Sequence, residues 1–269
     1  MMYHPLTAKD LFPHGPLRRL GSRVELLSEI DSTNSYLLAH AAEWDDGAVA
    51  AAEFQTAGRG RQGRRWLAPR GSSILLSVLL IEPEGSPRIA HAAMLAALAA
   101  ADAVEAETNC RPGLRWPNDL VVRGKKLGGI LAESTPRPGR HPPQRAVVIG
   151  IGLNCFQQPG HFGGGLAETA TSLEIECAQT VDRPALARQL IEHLDALLAS
   201  DPQQRPTWAW LHEVWAARSD DFGARVTLLK NSRRYTGTVL EIADNGDLVV
   251  QLDSGGRRRF ESATTTRIR

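Results

Sequence analysis

Cysteine is scarce in this 269-residue chain: Cys110, Cys155 and Cys177 lie far apart and are odd in number. With no C-x-x-C pair, neither a disulfide framework nor a zinc site is expected, and a reducing compartment, the cytoplasm, fits best. The eight histidines are scattered and never spell H-E-x-x-H, so no protein-held metal centre is expected. Net charge is only +1, which excludes a polycation; any binding of anions must come from local clusters of Arg and Lys. Long apolar runs are missing as well. The Ala-rich stretch near 92–103 is flanked or broken by His91 and Asp102, so no membrane span is expected. The first residues, MMYHPLTAKDLFPHG, have no apolar core and do not read as a secretory signal. There is no internal repeat. What remains is 42% hydrophobic and 23% charged, enough for a sizeable core without covalent staples.

Hydrophobic patterning predicts an α+β chain. Residues 1–21, broken by Pro5, Pro13 and Pro16, read as irregular. Strands are predicted over 24–30, 48–54 and 73–81, the last (SILLSVLLI) apolar enough to be central. Asp31-Ser32-Thr33-Asn34 supplies N-caps for a short helix through Tyr36–Leu38. Pro87 opens a long helix over about 89–107. Four short strands follow, at 114–116, 120–123, 126–133 and 145–154, then a Gly/Pro-rich loop at 157–165 and helices over 183–199 and 206–217. From about Asp221 the texture changes to short alternating strands at 225–229, 235–242, 248–252 and 257–261, with Asp244-Asn245-Gly246 and Asp253-Ser254-Gly255-Gly256 as hairpin turns. The expected division is therefore 1–220, a mixed sheet packed by helices, and 221–269, a small β-barrel.

The most informative stretch is Gln55-Thr56-Ala57-Gly58-Arg59-Gly60-Arg61-Gln62-Gly63-Arg64-Arg65-Trp66. Four arginines fall within seven residues, interleaved with glycine. Glycine lets backbone N–H groups approach an oxyanion, and arginine supplies permanently charged planar donors for phosphate or carboxylate. The arginines repel one another until an anion arrives, so the loop is expected to be mobile when empty and ordered by its ligand. Trp66 would anchor it or cover a flat ring. Rival readings exist. Gly58-x-Gly60-x-x-Gly63 has dinucleotide-fingerprint spacing, but WLAPRG after it cannot open the required helix. A kinase Gly-rich loop with Asp221-Phe222-Gly223 lacks H-R-D and V-A-I-K, and only 46 residues follow Gly223. An RNA-binding Gly/Arg segment is a third reading; a solvated basic turn is the bland one.

A second constellation is Arg115-Trp116-Pro117-Asn118-Asp119-Leu120, a stiffened strand end with a polar corner. A hairpin would bring the next segment, Lys125-Lys126-Leu127-Gly128-Gly129-Ile130-Leu131-Ala132-Glu133, beside that corner. Gly128 and Gly129 suggest close approach by a ligand or a bulge. Ile149-Gly150-Ile151-Gly152-Leu153-Asn154 repeats the theme: its glycines leave a slot for a flat molecule or admit tight helix-on-sheet packing.

In this order and spacing, Asp31–Asn34, the Gly58–Trp66 loop, Arg115–Leu120, Lys126–Glu133 and Gly150–Asn154 resemble the biotin protein ligase family. The resemblance spans roughly 25–155, and the terminal strands look like the family's small C-terminal domain. It implies a class II synthetase-like mixed sheet followed by an SH3-like barrel. It implies ATP-dependent activation of biotin to biotinyl-5'-AMP, with Mg²⁺, and transfer to a lysine of a biotin carboxyl carrier protein. Ser32, Thr33, Asn34 and Gln55 would hold the biotin head; Gly58, Arg59, Gly60 and Arg61 would hold the adenylate phosphate, with Trp66 at the loop end. Lys126 would contact the carboxylate and α-phosphate, beside Gly129. Asn118, Asp119 and Asn154 would lie near the nucleotide, Asp119 aiding lysine deprotonation or metal placement. Arg115 stands where the family usually has Lys; an arginine keeps the charge but is a poor proton acceptor. Some relatives carry an N-terminal DNA-binding domain; with the matching words starting near 31, no DNA binding is expected. A same-fold ligase for lipoate and an RNA-binding module are the competing functions. Monomer and homodimer both remain open.

Overall fold

The computed structural model describes residues 4–177, 179–199 and 207–268. A seven-stranded mixed sheet is built from β1 (Arg23–Leu27), β2 (Ala48–Ala52), β3 (Ser73–Pro83), β4 (Gly113–Arg115), β5 (Asp119–Val122), β6 (Lys125–Arg137) and β7 (Gln144–Asn154). Its order is β1-β2-β3-β7-β6-β5-β4, with β1 and β2 parallel and every other pair antiparallel. Strand alternation sorts the two faces. Val49, Ala51, Leu76 and Val78 face the main core beneath α3 (Pro87–Glu107) and α6 (Arg183–Leu198), which pack on each other. Ala48, Ala50, Leu79 and Val148 face α2 (Thr33–His40) on the other side.

The 73–81 run is buried because both faces are covered, which is why it reads as unbroken apolar sequence. Helix α3 is long and apolar enough, by length and composition, to cross a membrane; in this fold 61% of its most apolar window is buried. Its alanines let the helix lie close on the sheet. The short helix after Ser32 starts as read, with the Ser32 side chain accepting from the Ser35 N–H. The helix read over 206–217 runs as α7 (Trp208–Arg218); residue 206 lies outside the described residues.

Three short helices escaped sequence reading: α1 (Ala8–Leu11), α4 (Leu166–Thr169) and α5 (Leu173–Glu176). Each is a single turn, too short to show a period, and α1 is set by a capping box between Thr7 and Asp10.

The chain ends in a five-stranded antiparallel sheet, β8 (Arg225–Lys230), β9 (Arg233–Ile242), β10 (Leu248–Leu252), β11 (Arg257–Phe260) and β12 (Thr265–Ile268), in the order β11-β10-β9-β8-β12. It curls so that Tyr235 on β9 meets Phe260 on β11 edge to face, centroids 5.2 Å apart, which makes it barrel-like. The fifth strand, β12, was not predicted. Asp221 joins the two sheets: its carboxylate accepts from the Trp116 backbone N–H at 2.7 Å and pairs with Arg267. Trp116 Nε1 also donates to the Gly246 carbonyl at 2.9 Å. The Asp221-Phe222-Gly223 triplet is thus a structural clamp.

Candidate active site

The Gly/Arg loop leaves β2 and folds back on itself as an irregular hairpin. Gly60 N–H donates to Arg64 O and Trp66 N–H to Gly58 O, at 2.8 and 2.9 Å. A Cβ on Gly58 would stand 2.5 Å from the Trp66 carbonyl, so only glycine lets the two arms approach. No helix opens at the loop beyond one 3-10 turn over Arg61–Gly63, which removes the dinucleotide reading.

The loop hangs over a cavity of about 800 Å³. The opposite wall is the corner before β5, where the Trp116–Pro117 bond is cis, together with the Lys126–Leu131 part of β6. A third wall is Phe162, Leu166 and Ala170, and the C-terminal sheet closes the rim with Thr266, Arg267 and Ile268. Among the described residues the lining holds eight cations (Arg59, Arg61, Arg64, Arg65, Arg115, Lys126, Arg225 and Arg267) and one carboxylate, Asp119. Such a lining concentrates positive potential and suits a polyanion.

Each cation is held differently. Lys126 Nζ lies 2.5 Å from Asp119 Oδ1. Arg59 grips Glu133 through both guanidinium nitrogens, at 2.6 and 3.0 Å. Arg61 donates to Asn118 Oδ1 and to the Thr265 carbonyl, at 3.3 and 3.2 Å. Burial pulls the Arg61 guanidinium below its ordinary value and Arg64 adds to this, while Asp119 opposes them. An arginine that is desolvated and lacks a carboxylate partner gains most when an anion enters.

Beside the cavity a narrow slot of about 30 Å³ is lined by Ser32, Thr33, Asn34, Gln55, Trp66, Gly129, Gly150 and Gly152. Its polar end is wired together. Thr33 donates to Gln55 Oε1 from its backbone N–H at 2.8 Å and from its hydroxyl at 3.2 Å. Ser77 Oγ lies 2.7 Å from both Thr33 Oγ1 and Asn34 Oδ1. Asn34 Nδ2 donates to the Leu131 carbonyl and to Glu133. The glycines of β7 line this slot and also admit close packing. A Cβ on Gly150 would fall 2.1 Å from Asn34 Oδ1, and one on Gly152 would fall 2.6 Å from the Trp66 indole. Trp66 therefore covers the strand, and its buried Nε1 has no partner.

The sequence-picked residues thus fall into two adjoining groups: Ser32, Thr33, Asn34 and Gln55 at the slot, and Gly60, Arg61, Asn118, Asp119 and Lys126 at the cavity. Arg59, Trp66 and Gly129 line both, and Gly58 shapes the loop between them. Asn154 lines the cavity but spends its amide inside the wall, donating to the Thr171 carbonyl and accepting from Gln157. Sequence reading gave no role to Glu133, Ser77 or Thr265–Arg267. Glu133 stood inside a quoted motif and could have been found as the nearest acid to pair a loop arginine. Ser77 sits mid-strand in an apolar run and gives no signal.

A family model described as "Biotin/lipoate A/B protein ligase family" matches residues 26–154. The biotin--[acetyl-CoA-carboxylase] ligase of Mycobacterium tuberculosis is 36% identical over 248 residues, covering 90% of this chain and 87% of that one. The chain belongs to the biotin protein ligase family. A second ligase so named, from Paracoccus denitrificans, is 30% identical over 86% of this chain and 95% of its own. The fold is that of the biotin protein ligase from Aquifex aeolicus solved with biotin and ATP: TM-score 0.76, 23% identity, covering 92% of this chain and 99% of that chain. The family match spans the slot, the Gly/Arg loop, the Trp-Pro-Asn-Asp corner and the glycine strands.

Proposed function

We propose that this chain activates biotin with ATP to biotinyl-5'-AMP and transfers the biotin to a lysine of a biotin carboxyl carrier protein. The observation that carries the reading is one cavity with eight cations to one carboxylate, opening onto a narrow slot with a hydrogen-bonding end. The names of the relatives supply the substrate.

The chemistry follows from charge. A carboxylate reacts with an amine only after its oxygen becomes a good leaving group, and attack on the α-phosphate of ATP exchanges that oxygen for AMP. Both reactants are anions, so positive charge must be fixed where they meet. Lys126, Arg59 and Arg61 are the groups we assign to that task. Lys126 lies between the Asp119 carboxylate and the Trp66 ring, 5.8 Å from its centroid, so its ammonium is already aimed. Among the described residues no cluster of three metal-ligating acids, histidines or cysteines occurs. Mg²⁺ arrives on nucleotide phosphates, keeps several waters and needs one or two carboxylates. Asp119 at the cavity wall is the carboxylate that would hold it, and the ion would neutralise phosphate charge.

Ser32, Thr33, Asn34 and Gln55 present donors and acceptors at the slot, which a ureido ring needs on both counts. The slot as it stands holds about one water, so biotin must widen it by moving the loop and Trp66. The same loop then covers the mixed anhydride and excludes water. The carrier's lysine attacks as the neutral amine, the acyl–phosphate bond breaks and AMP leaves. Asp119, the one carboxylate among the described lining residues, would aid either that deprotonation or the placement of the metal. We assign residues 1–220 to this chemistry and 221–269 to closing the rim. We place the protein in the cytoplasm, on the scarcity of cysteine.

Incubating the protein with ATP, Mg²⁺, biotin and a biotin-carrier domain and blotting with streptavidin tests the reading. ATP-dependent labelling of one carrier lysine is expected; no labelling, or equal labelling from lipoate, would overturn it.

A further inference from the structure

The face of the C-terminal sheet that closes the cavity does not stop there. On β12 and β8 it contributes Thr266, Ile268, Arg225 and Thr227 to the cavity rim. Cross-strand register carries the same face outward. Thr266 pairs with Leu229 and Leu229 with Arg234; Ile268 pairs with Thr227 and Thr227 with Thr236; Arg225 pairs with Thr238, Thr238 with Gln251, and Gln251 with Arg257. Residues paired across a sheet point to one side. Arg234 therefore stands two strand spacings, about 10 Å, from Thr266, and Thr266 itself bonds Gln62 of the Gly/Arg loop. Arg234 and Arg257 are exposed, as are Arg233, Arg258 and Arg259 on the same two strands. Among the described residues none of these five makes an ion pair, whereas Arg225, Lys230 and Arg267 each do. Alternation puts Arg234, Arg257 and Arg259 on this face, three arginines without an ion pair in a chain of net charge +1, and Arg233 and Arg258 on the other.

We infer that this arginine-bearing face is a docking surface for an acidic protein surface, namely that of the acceptor protein whose lysine enters the cavity. The inference rests on the ligase reading and deepens it. Two features favour a protein over nucleic acid. First, the face is continuous with the rim that any acceptor must cross. Second, the rings on these strands, Tyr235 and Phe260, alternate to the opposite face of the sheet. Arg233 and Arg258 lie 5.4 and 4.3 Å from the Tyr235 ring centroid, and Phe260 is buried. Single-stranded nucleic acid needs such rings free. Exposed charges at the edge of an interface act mainly on encounter rate and its salt dependence.

The test is the double variant Arg234→Glu/Arg257→Glu, two exposed residues outside the catalytic lining. Biotinyl-adenylate formation, read as pyrophosphate release, is measured beside kcat/KM for a carrier domain, from about 0.01 M to about 1 M salt. Adenylate formation is expected to stay within about twofold of the parent, while kcat/KM for the carrier falls about tenfold or more at low salt. The gap should close as salt rises. Unchanged carrier kinetics with intact adenylate formation overturns the docking surface alone. A parallel loss of adenylate formation also overturns it, because the arginines would then act through the fold. Loss of single-stranded RNA retention with unchanged carrier kinetics assigns the face to nucleic acid instead. No adenylate from the parent protein sinks the ligase reading and this inference with it.

Discussion

At Lys126 the ammonium and the Asp119 carboxylate stand 2.5 Å apart, so each holds the other in position before any substrate arrives. If Lys126 has the task proposed for it, replacing it with Ala removes a charge that would sit at the reacting oxygens and leaves Asp119 to repel them. Pyrophosphate release with biotin and Mg²⁺-ATP should fall about a hundredfold or more; near-normal release would refute the assignment. Arg61 has a different task. Its guanidinium ties the loop to Asn118 on one side and to the Thr265 carbonyl on the other. Arg61→Gly should loosen that closure, so that biotinyl-adenylate escapes and labels lysines on an added bystander protein; no rise in bystander labelling would count against the lid. Both residues were legible in the sequence because charge must be local in a nearly neutral chain. Ser77 was not, since a serine within an apolar strand looks like a filler until α2 is seen above it.

Elements show why glycine spacing was only half legible. The β7 glycines were read as a slot or as close packing, and the sequence could not choose between them. The structure shows both, because Gly150 and Gly152 line the slot while Asn34 at the start of α2 packs against Gly150. Gly150→Ala would place a methyl carbon 2.1 Å from Asn34 Oδ1 and push that side chain off Ser77, Leu131 and Glu133. Overpacking of this kind costs about 1–3 kcal/mol. The biotin affinity measured by calorimetry should drop more than tenfold; an unchanged affinity would show that Asn34 is not part of the biotin end. A second element-level expectation concerns α3. His91 reaches the Asp244 carbonyl and stacks on Trp208, and burial holds its imidazole below the ordinary value of 6.5, with Asp244 opposing. The folded chain then takes up this proton less readily than the unfolded one. Its contribution is present above pH 6.5 and is lost as pH falls through the lowered value. The urea midpoint should therefore drop between pH 8 and pH 5, and His91→Gln should shrink that drop; an equal drop in both proteins would rule His91 out.

On the scale of the whole molecule, the mixed sheet was readable strand by strand, because most of its strands carry an apolar run of their own. The joint between the sheets was not. Asp221 looked like part of a stray kinase triplet, and β12 was too short to read without β8 beside it. Yet that joint sets the cavity rim. The Asp221 carboxylate, 4% exposed, takes the Trp116 backbone N–H and the Arg267 guanidinium together. Trp116 leads into the Asn118-Asp119 corner, and Arg267 lines the cavity. Asp221→Ala strands a half-buried cation and a buried N–H, a loss of up to about 3–5 kcal/mol for a pair broken in this way. Asp221→Asn keeps an acceptor for Trp116 but drops the charge. If the clamp positions the rim, KM for ATP should rise in both variants, with thermal stability recovering more in Asp221→Asn than KM does. If it serves stability alone, KM for ATP will stay at the parent value in whatever fraction of either variant remains folded.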